Sequence, residues 1–248
     1  MNSNNPFFKN KTFTNTSAAA EVHEAKIIDR NETMTVSGTI NKSFLMLILL
    51  IASAAVTWSM ANPIVFAIGG AIVGFILVLI AAFKPQYSGF LAPGYAIFEG
   101  LFIGGISSIF EVMYPGIVIQ AVSCTFVTFM VCFGLYKYEI VKVTERFKSV
   151  VLAATLAIAT YYLISWLLSM FTSFQPVHNG NSWMSIGISA FVIVIAALNL
   201  FLDFDQIEKG VQQKMPKYME WYGAMGLMIT LVWLYIEFLR LLSKLNRK

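Results

Sequence analysis

Residues 198–210, LNLFLDFDQIEKG, and 231–245, LVWLYIEFLRLLSKL, are apolar segments that carry acids: Asp203 and Asp205 in the first, Glu237 in the second. Each segment reads as a membrane helix. A charge at mid-bilayer costs roughly 2.5–3.5 kcal/mol on insertion scales, so acids kept there need partners or a task.

The composition around them supports the membrane reading. Of 248 residues, 58% are hydrophobic and 12% charged, too much apolar surface for one soluble core to hide. The class is an all-α polytopic membrane protein. The net charge of +4 does not point to nucleic acid, because Lys and Arg sit in short loops and tails between apolar runs, where they orient the chain and meet anionic headgroups.

Residues 1–42 read as a flexible polar arm, and 43–248 as the membrane domain. The first apolar run begins at Phe44, too late for a secretory signal, so the arm is expected to be retained in the cytosol. His23 lies in it with no other His or Cys nearby, and His178 stands in an uncharged loop; neither suggests a metal site.

Apolar segments follow at about 44–61, 64–83, 91–110, 116–136, 150–171, 186–207 and 223–243. Each approaches the ~20 residues a helix needs to cross the hydrocarbon layer, giving a seven-helix bundle. Ala61, Asn62 and Pro63 are all that separates the first two, which must form an antiparallel hairpin. The basic residues alternate with the spans: they lie in the arm and after spans two, four and six, while the loops ANP, EVMYPG and SFQPVHNGNS have none. That pattern puts the N-terminus in the cytosol. Lys244, Arg247 and Lys248 at the C-terminus run against it, leaving a re-entrant last segment as the alternative to seven spans.

Gly70 with Gly74, and Gly100 with Gly104, have the four-residue spacing that lets helices approach closely; packing within the monomer is the expected use, with a dimer face as the alternative. Cys124 and Cys132, about 12 Å apart along one helix, are too distant for a disulfide within it and read as buried thiols. The segment 137–150, KYEIVKVTERFKSV, suits either an amphipathic stretch at the headgroups or a solvated loop.

Among the acids, Glu99 lies mid-span in GYAIFEGLFIGG, either supporting the bundle or lining an ion path, and Glu111 sits at a helix end, exposed to solvent. Asp203 and Asp205 point about 200° apart on a helix; Asp203 is deeper, and Lys209 can compensate Asp205. Arg240 follows Glu237 by three residues, within reach of an ion pair.

LDFDQIEKG resembles the sixth helix of the Bax inhibitor motif family (YccA-like membrane proteins), and LYIEFLRLL the seventh. YAIFEGLFIGGISSIFE is similar to the glycine-rich third helix, and the resemblance covers the chain from about Phe44 onward. It implies a seven-helix bundle with the last helix central and, for bacterial members, a pH-sensitive calcium leak in the plasma (inner) membrane. It also implies an acidic dyad, which falls by motif on Asp203, in LDF where relatives have YDF, and on Glu237, in LYIEF where many have LYLDF. Calcium would be a permeant ion, with Asp203 and Glu237 as its ligands and no tightly bound cofactor. A non-conducting regulator of a membrane protease is the second reading the resemblance suggests.

Two acids in one low-dielectric site cannot both ionise cheaply and would share a proton. Depth sets a condition on that pairing. With helix six ending near Lys209 and helix seven starting near Tyr218, Glu237 lies roughly 28 Å along its helix and Asp203 only about 9 Å from its end. A straight hairpin leaves them at different levels; pairing then requires a cytosolic extension, a helix break, or another partner such as Asp205 or Glu220. An intramembrane aspartyl protease is the enzyme alternative, but there is no GxGD sequence, and neither Asp203 nor Glu237 follows a glycine. The chain is expected not to be an enzyme.

Overall fold

The computed structural model describes residues 33–172, 175–180 and 182–246. From Met34 onward these form one compact unit. The arm expected over residues 1–42 lies outside the described residues as far as residue 32, as do His23, Arg247 and Lys248.

Seven helices, each long and apolar enough to cross a membrane, make up the described bundle. They are α1 (Val36–Trp58), α2 (Pro63–Phe83), α3 (Ser88–Met113), α4 (Ile117–Lys137), α5 (Glu145–Phe171), α6 (Trp183–Gln212) and α7 (Met219–Asn246). Short 3₁₀ turns at Pro85–Tyr87 and Val177–Asn179 lead into α3 and α6. This is an integral membrane protein. Large apolar side chains such as Ile48, Val65, Phe75 and Phe90 remain more than 60% exposed, a surface that lipid rather than water would cover.

Helix α1 begins at Val36, eight residues before the first apolar run. Thr35 caps it, its hydroxyl accepting from Gly38 N–H, so residues 36–42 belong to the bundle rather than to the arm. Pro63 starts α2 at a position where the missing N–H costs nothing. Gly116, at φ +84°, makes the tight turn from α3 into α4. Glu111 accepts there from Gly116 N–H (2.6 Å) and Val118 N–H (3.1 Å). Glu111, expected to be solvated, instead caps the N-terminus of α4, where the helix dipole suits an acidic side chain.

The last helix is the most buried, with 50% of its membrane window enclosed against 17–39% in the others. It is also continuous over 28 residues, which removes the re-entrant alternative. Its basic end is accommodated by burial: Lys244 donates to Ser185 O (3.1 Å) and Ser189 Oγ (2.7 Å) on α6. The glycine pairs act within the monomer. A Cβ at Gly70 would overlap the backbone of α3, and one at Gly100 or Gly104 the backbone of α1. Cys124 and Cys132 are both free thiols on α4. In 137–150, residues 138–144 form a turn whose Val141 and Val143 pack on the core, and α5 starts at Glu145, capped by Thr144.

Candidate functional site

Helices α6 and α7 pack as an antiparallel pair, and the first acidic level lies between them. Asp203 faces Gly226 and Thr230 of α7: a Cβ at Gly226 would stand 3.8 Å from its Oδ1, and the Thr230 side chain lies beside its carboxyl group. Asp203 Oδ2 is buried and has no hydrogen-bond partner among the described residues. The carboxyl group borders a pocket of about 30 Å³ shared with Gln206, Ile207, Tyr222 and Gly223, space of the order of one water.

The second level is nearer the other end of α7. Glu237 is 1% exposed, and its Oε1 accepts from the Tyr162 hydroxyl and from Arg240, each at 3.2 Å. Its Oε2 is buried and has no hydrogen-bond partner among the described residues. The Arg240 guanidinium also lies over the Tyr162 ring, 5.4 Å from its centre, a cation–π contact. His178 packs edge-on against Tyr162 and Tyr161, with Nδ1 3.2 Å from the Tyr161 hydroxyl. Burial holds the His178 imidazole below its ordinary pKa, and the positive charges of Arg240 and Lys244 add to the effect.

The two levels are distinct. Glu237 follows Thr230 by seven residues and Gly226 by eleven, a rise of roughly 10–17 Å at ~1.5 Å per residue. The direct Asp203–Glu237 dyad is therefore not formed: α6 and α7 are each continuous, and Asp203 meets α7 at Gly226 and Thr230 rather than at Glu237. A single calcium ion held by both carboxylates does not fit this arrangement. Among the described residues no three His, Cys, Asp or Glu side chains gather as a metal site would require.

A family model described as Bax inhibitor 1 like matches residues 5–247. The chain belongs to the Bax inhibitor 1-like family. The match begins well before Phe44, so the family pattern extends into the polar N-terminal segment that the motif resemblance left out. Comparison with curated proteins gave no match.

The remaining acids of this Bax inhibitor 1-like chain have other neighbours. Asp205 pairs with Lys148 of α5 (3.0 Å) and with Lys209 one turn on (2.9 Å), compensation of the kind its spacing suggested. Tyr136 of α4 donates to Glu208. Glu99 faces Gly74 of α2. Arg240 forms the expected i,i+3 ion pair with Glu237. Glu220 is fully enclosed and bound by Lys42, by the Thr35 backbone N–H (2.9 Å) and hydroxyl (2.8 Å), and by Lys217 at 3.4 Å, so it is not a partner for Asp203.

Two parts of this arrangement were missed from sequence. Tyr162 sits in an apolar run with no feature to mark it as a carboxylate donor. The Thr35–Gly38–Lys42 contact with Glu220 did leave a trace, since Thr35 precedes a helix-compatible segment and Lys42 adjoins the first apolar run.

Proposed function

We propose that this Bax inhibitor 1-like membrane protein is a pH-sensitive calcium leak in which Asp203 and Glu237 act in series, at two levels, rather than as one proton-sharing dyad. The observation that carries this reading is the pair of unpartnered carboxyl oxygens, Asp203 Oδ2 and Glu237 Oε2, on adjacent membrane helices. Protonated, each carboxyl is a neutral hydrogen-bonding group that offers a cation little. Deprotonated, each becomes a hard oxygen ligand suited to calcium, and an ion passing between the levels would exchange water for carboxylate twice. The small pocket beside Asp203 supplies room for a water at the first exchange. Arg240 and Tyr162 hold Glu237 at the second, so the cation must compete with a guanidinium for that carboxylate.

The basic residues at the Lys42 end favour a cytosolic placement of that end, with the bacterial plasma membrane as the compartment. The test is flux from liposomes loaded with a calcium dye. Leak should rise as pH rises, and Asp203→Asn and Glu237→Gln should each flatten the dependence. No flux at any pH would sink the proposal. Function lost only on deleting residues 1–40, without flux, would favour a regulator of a membrane protease.

A further inference from the structure

We propose that the groove between α3 and α7 is a binding site for an anionic glycerophospholipid, with the headgroup phosphate at Arg240 and an acyl chain lying along α3. The groove holds about 320 Å³, the volume of roughly ten waters. Helix α3 lines it with Phe102, Ile106, Ile109 and Phe110, positions i, i+4, i+7 and i+8 that share one helix face. Helix α7 adds Ile236 and Leu239, and then Arg240 as the one charged member.

The order of these residues gives the site a direction. Helices α3 and α7 are odd-numbered spans of an alternating bundle and run the same way, so Phe102 and Ile236 are the deep end and Phe110 and Arg240 the shallow end. Arg240 is six residues from Asn246, the last residue of α7, about 9 Å along the axis, a depth that suits a headgroup. The apolar wall, eight residues along α3, covers about 12 Å of the hydrocarbon layer below it. Hydrocarbon below and a cation above fit an amphiphile with a negative head.

Charge at the shallow end favours an anion over a zwitterion. Arg240 uses one of five donors on Glu237, and its side chain is 43% exposed. Two carboxylates lie near this end, but neither lines the groove: Glu237 is enclosed, and Glu111 is bonded to the Gly116 and Val118 N–H groups. A zwitterionic lipid could fill the apolar groove but would gain little from the guanidinium.

The experiment uses the intact chain in mild detergent, offered phosphatidylglycerol or phosphatidylcholine in mixed micelles, with bound lipid counted by native mass spectrometry. Phosphatidylglycerol should be retained about fivefold better, the worth of one basic group at an anionic surface. Arg240→Gln should bring the two lipids to parity, and Arg240→Lys should keep part of the preference. Ile109→Trp, which fills the groove and leaves Arg240 in place, should lower retention of both lipids. Equal retention by the wild type, or phosphatidylglycerol retention unaffected by Ile109→Trp, overturns the proposal. So does a dimer that retains neither lipid, which would make the groove a protein interface. These readouts are independent of calcium flux.

Discussion

Lys42 and Glu220 form an ion pair that joins the second turn of α1 to the first turn of α7. The Glu220 side chain is fully enclosed, while Lys42 keeps 17% of its surface. Removing one partner of a buried pair typically costs about 3–5 kcal/mol, because the other charge is left without compensation. Lys217 and Thr35 still reach Glu220, so Lys42→Met should cost somewhat less, about 2–3 kcal/mol. Lys217→Met removes a longer, half-exposed contact and should cost under ~1 kcal/mol. Thermal unfolding of the two variants in detergent checks the ranking; equal losses would mean that Lys42 does not hold this end of the bundle.

Gly38 is required by the same contact. A Cβ there would overlap the Glu220 carboxylate, so Gly38→Ala must push the carboxylate away from Thr35 and Lys42. Overpacking of this kind costs about 1–3 kcal/mol, and here the cost acts through one side chain. The double variant with Glu220→Ala should therefore be less destabilised than the sum of the singles, a coupling that unfolding measurements on the four proteins of the cycle would reveal. Strict additivity would place the clash elsewhere.

These contacts mark where sequence reading succeeds and where it stops. Seven spans, the alternation of basic loops and the i,i+3 pair of Glu237 with Arg240 follow from periodicity and local spacing, which the chain displays directly. The start of α1 at Val36 escaped because residues 36–43 are too polar to register as membrane; their helix is fixed by the Thr35 cap and by Glu220, 178 positions from Lys42. Tyr162 escaped for the same reason, since its role depends on Glu237, 75 positions away. The dyad illustrates the converse. Motif likeness paired Asp203 with Glu237, whereas the count of residues between them already required different depths, and the hairpin follows the count.

His178 gives the far end of the bundle a dependence on acid. Its imidazole is held below the usual value of 6.5 by burial and by Arg240 and Lys244, so in the acid range the unfolded chain binds more protons than the folded one. Stability then rises with pH through this window: the contribution of neutral His178 is present above about pH 6.5 and is lost as pH falls through the folded-state value. Melting temperature should fall between pH 7 and pH 5, and His178→Gln should reduce that slope. An unchanged slope would show that His178 protonates in the fold as readily as in solution.

The separation of Asp203 from Glu237 makes the sharpest distinction between a shared-proton dyad and two sites in series. Carboxyls that share a proton titrate as a unit, so neutralising either should abolish most of the pH response and neutralising both should add little. Carboxyls roughly 10–17 Å apart along the α7 axis exceed the distance beyond which effects usually add to within about 0.3–0.5 kcal/mol. Asp203→Asn and Glu237→Gln should each remove part of the pH dependence of calcium flux, and the double variant should lose the sum. Unfolding energies should show the same independence, because Asp203 contacts Gly226 and Thr230 while Glu237 contacts Tyr162 and Arg240. Strong non-additivity in both flux and unfolding would require the two helices to slide by two to three turns in the working protein, bringing the carboxyls together after all.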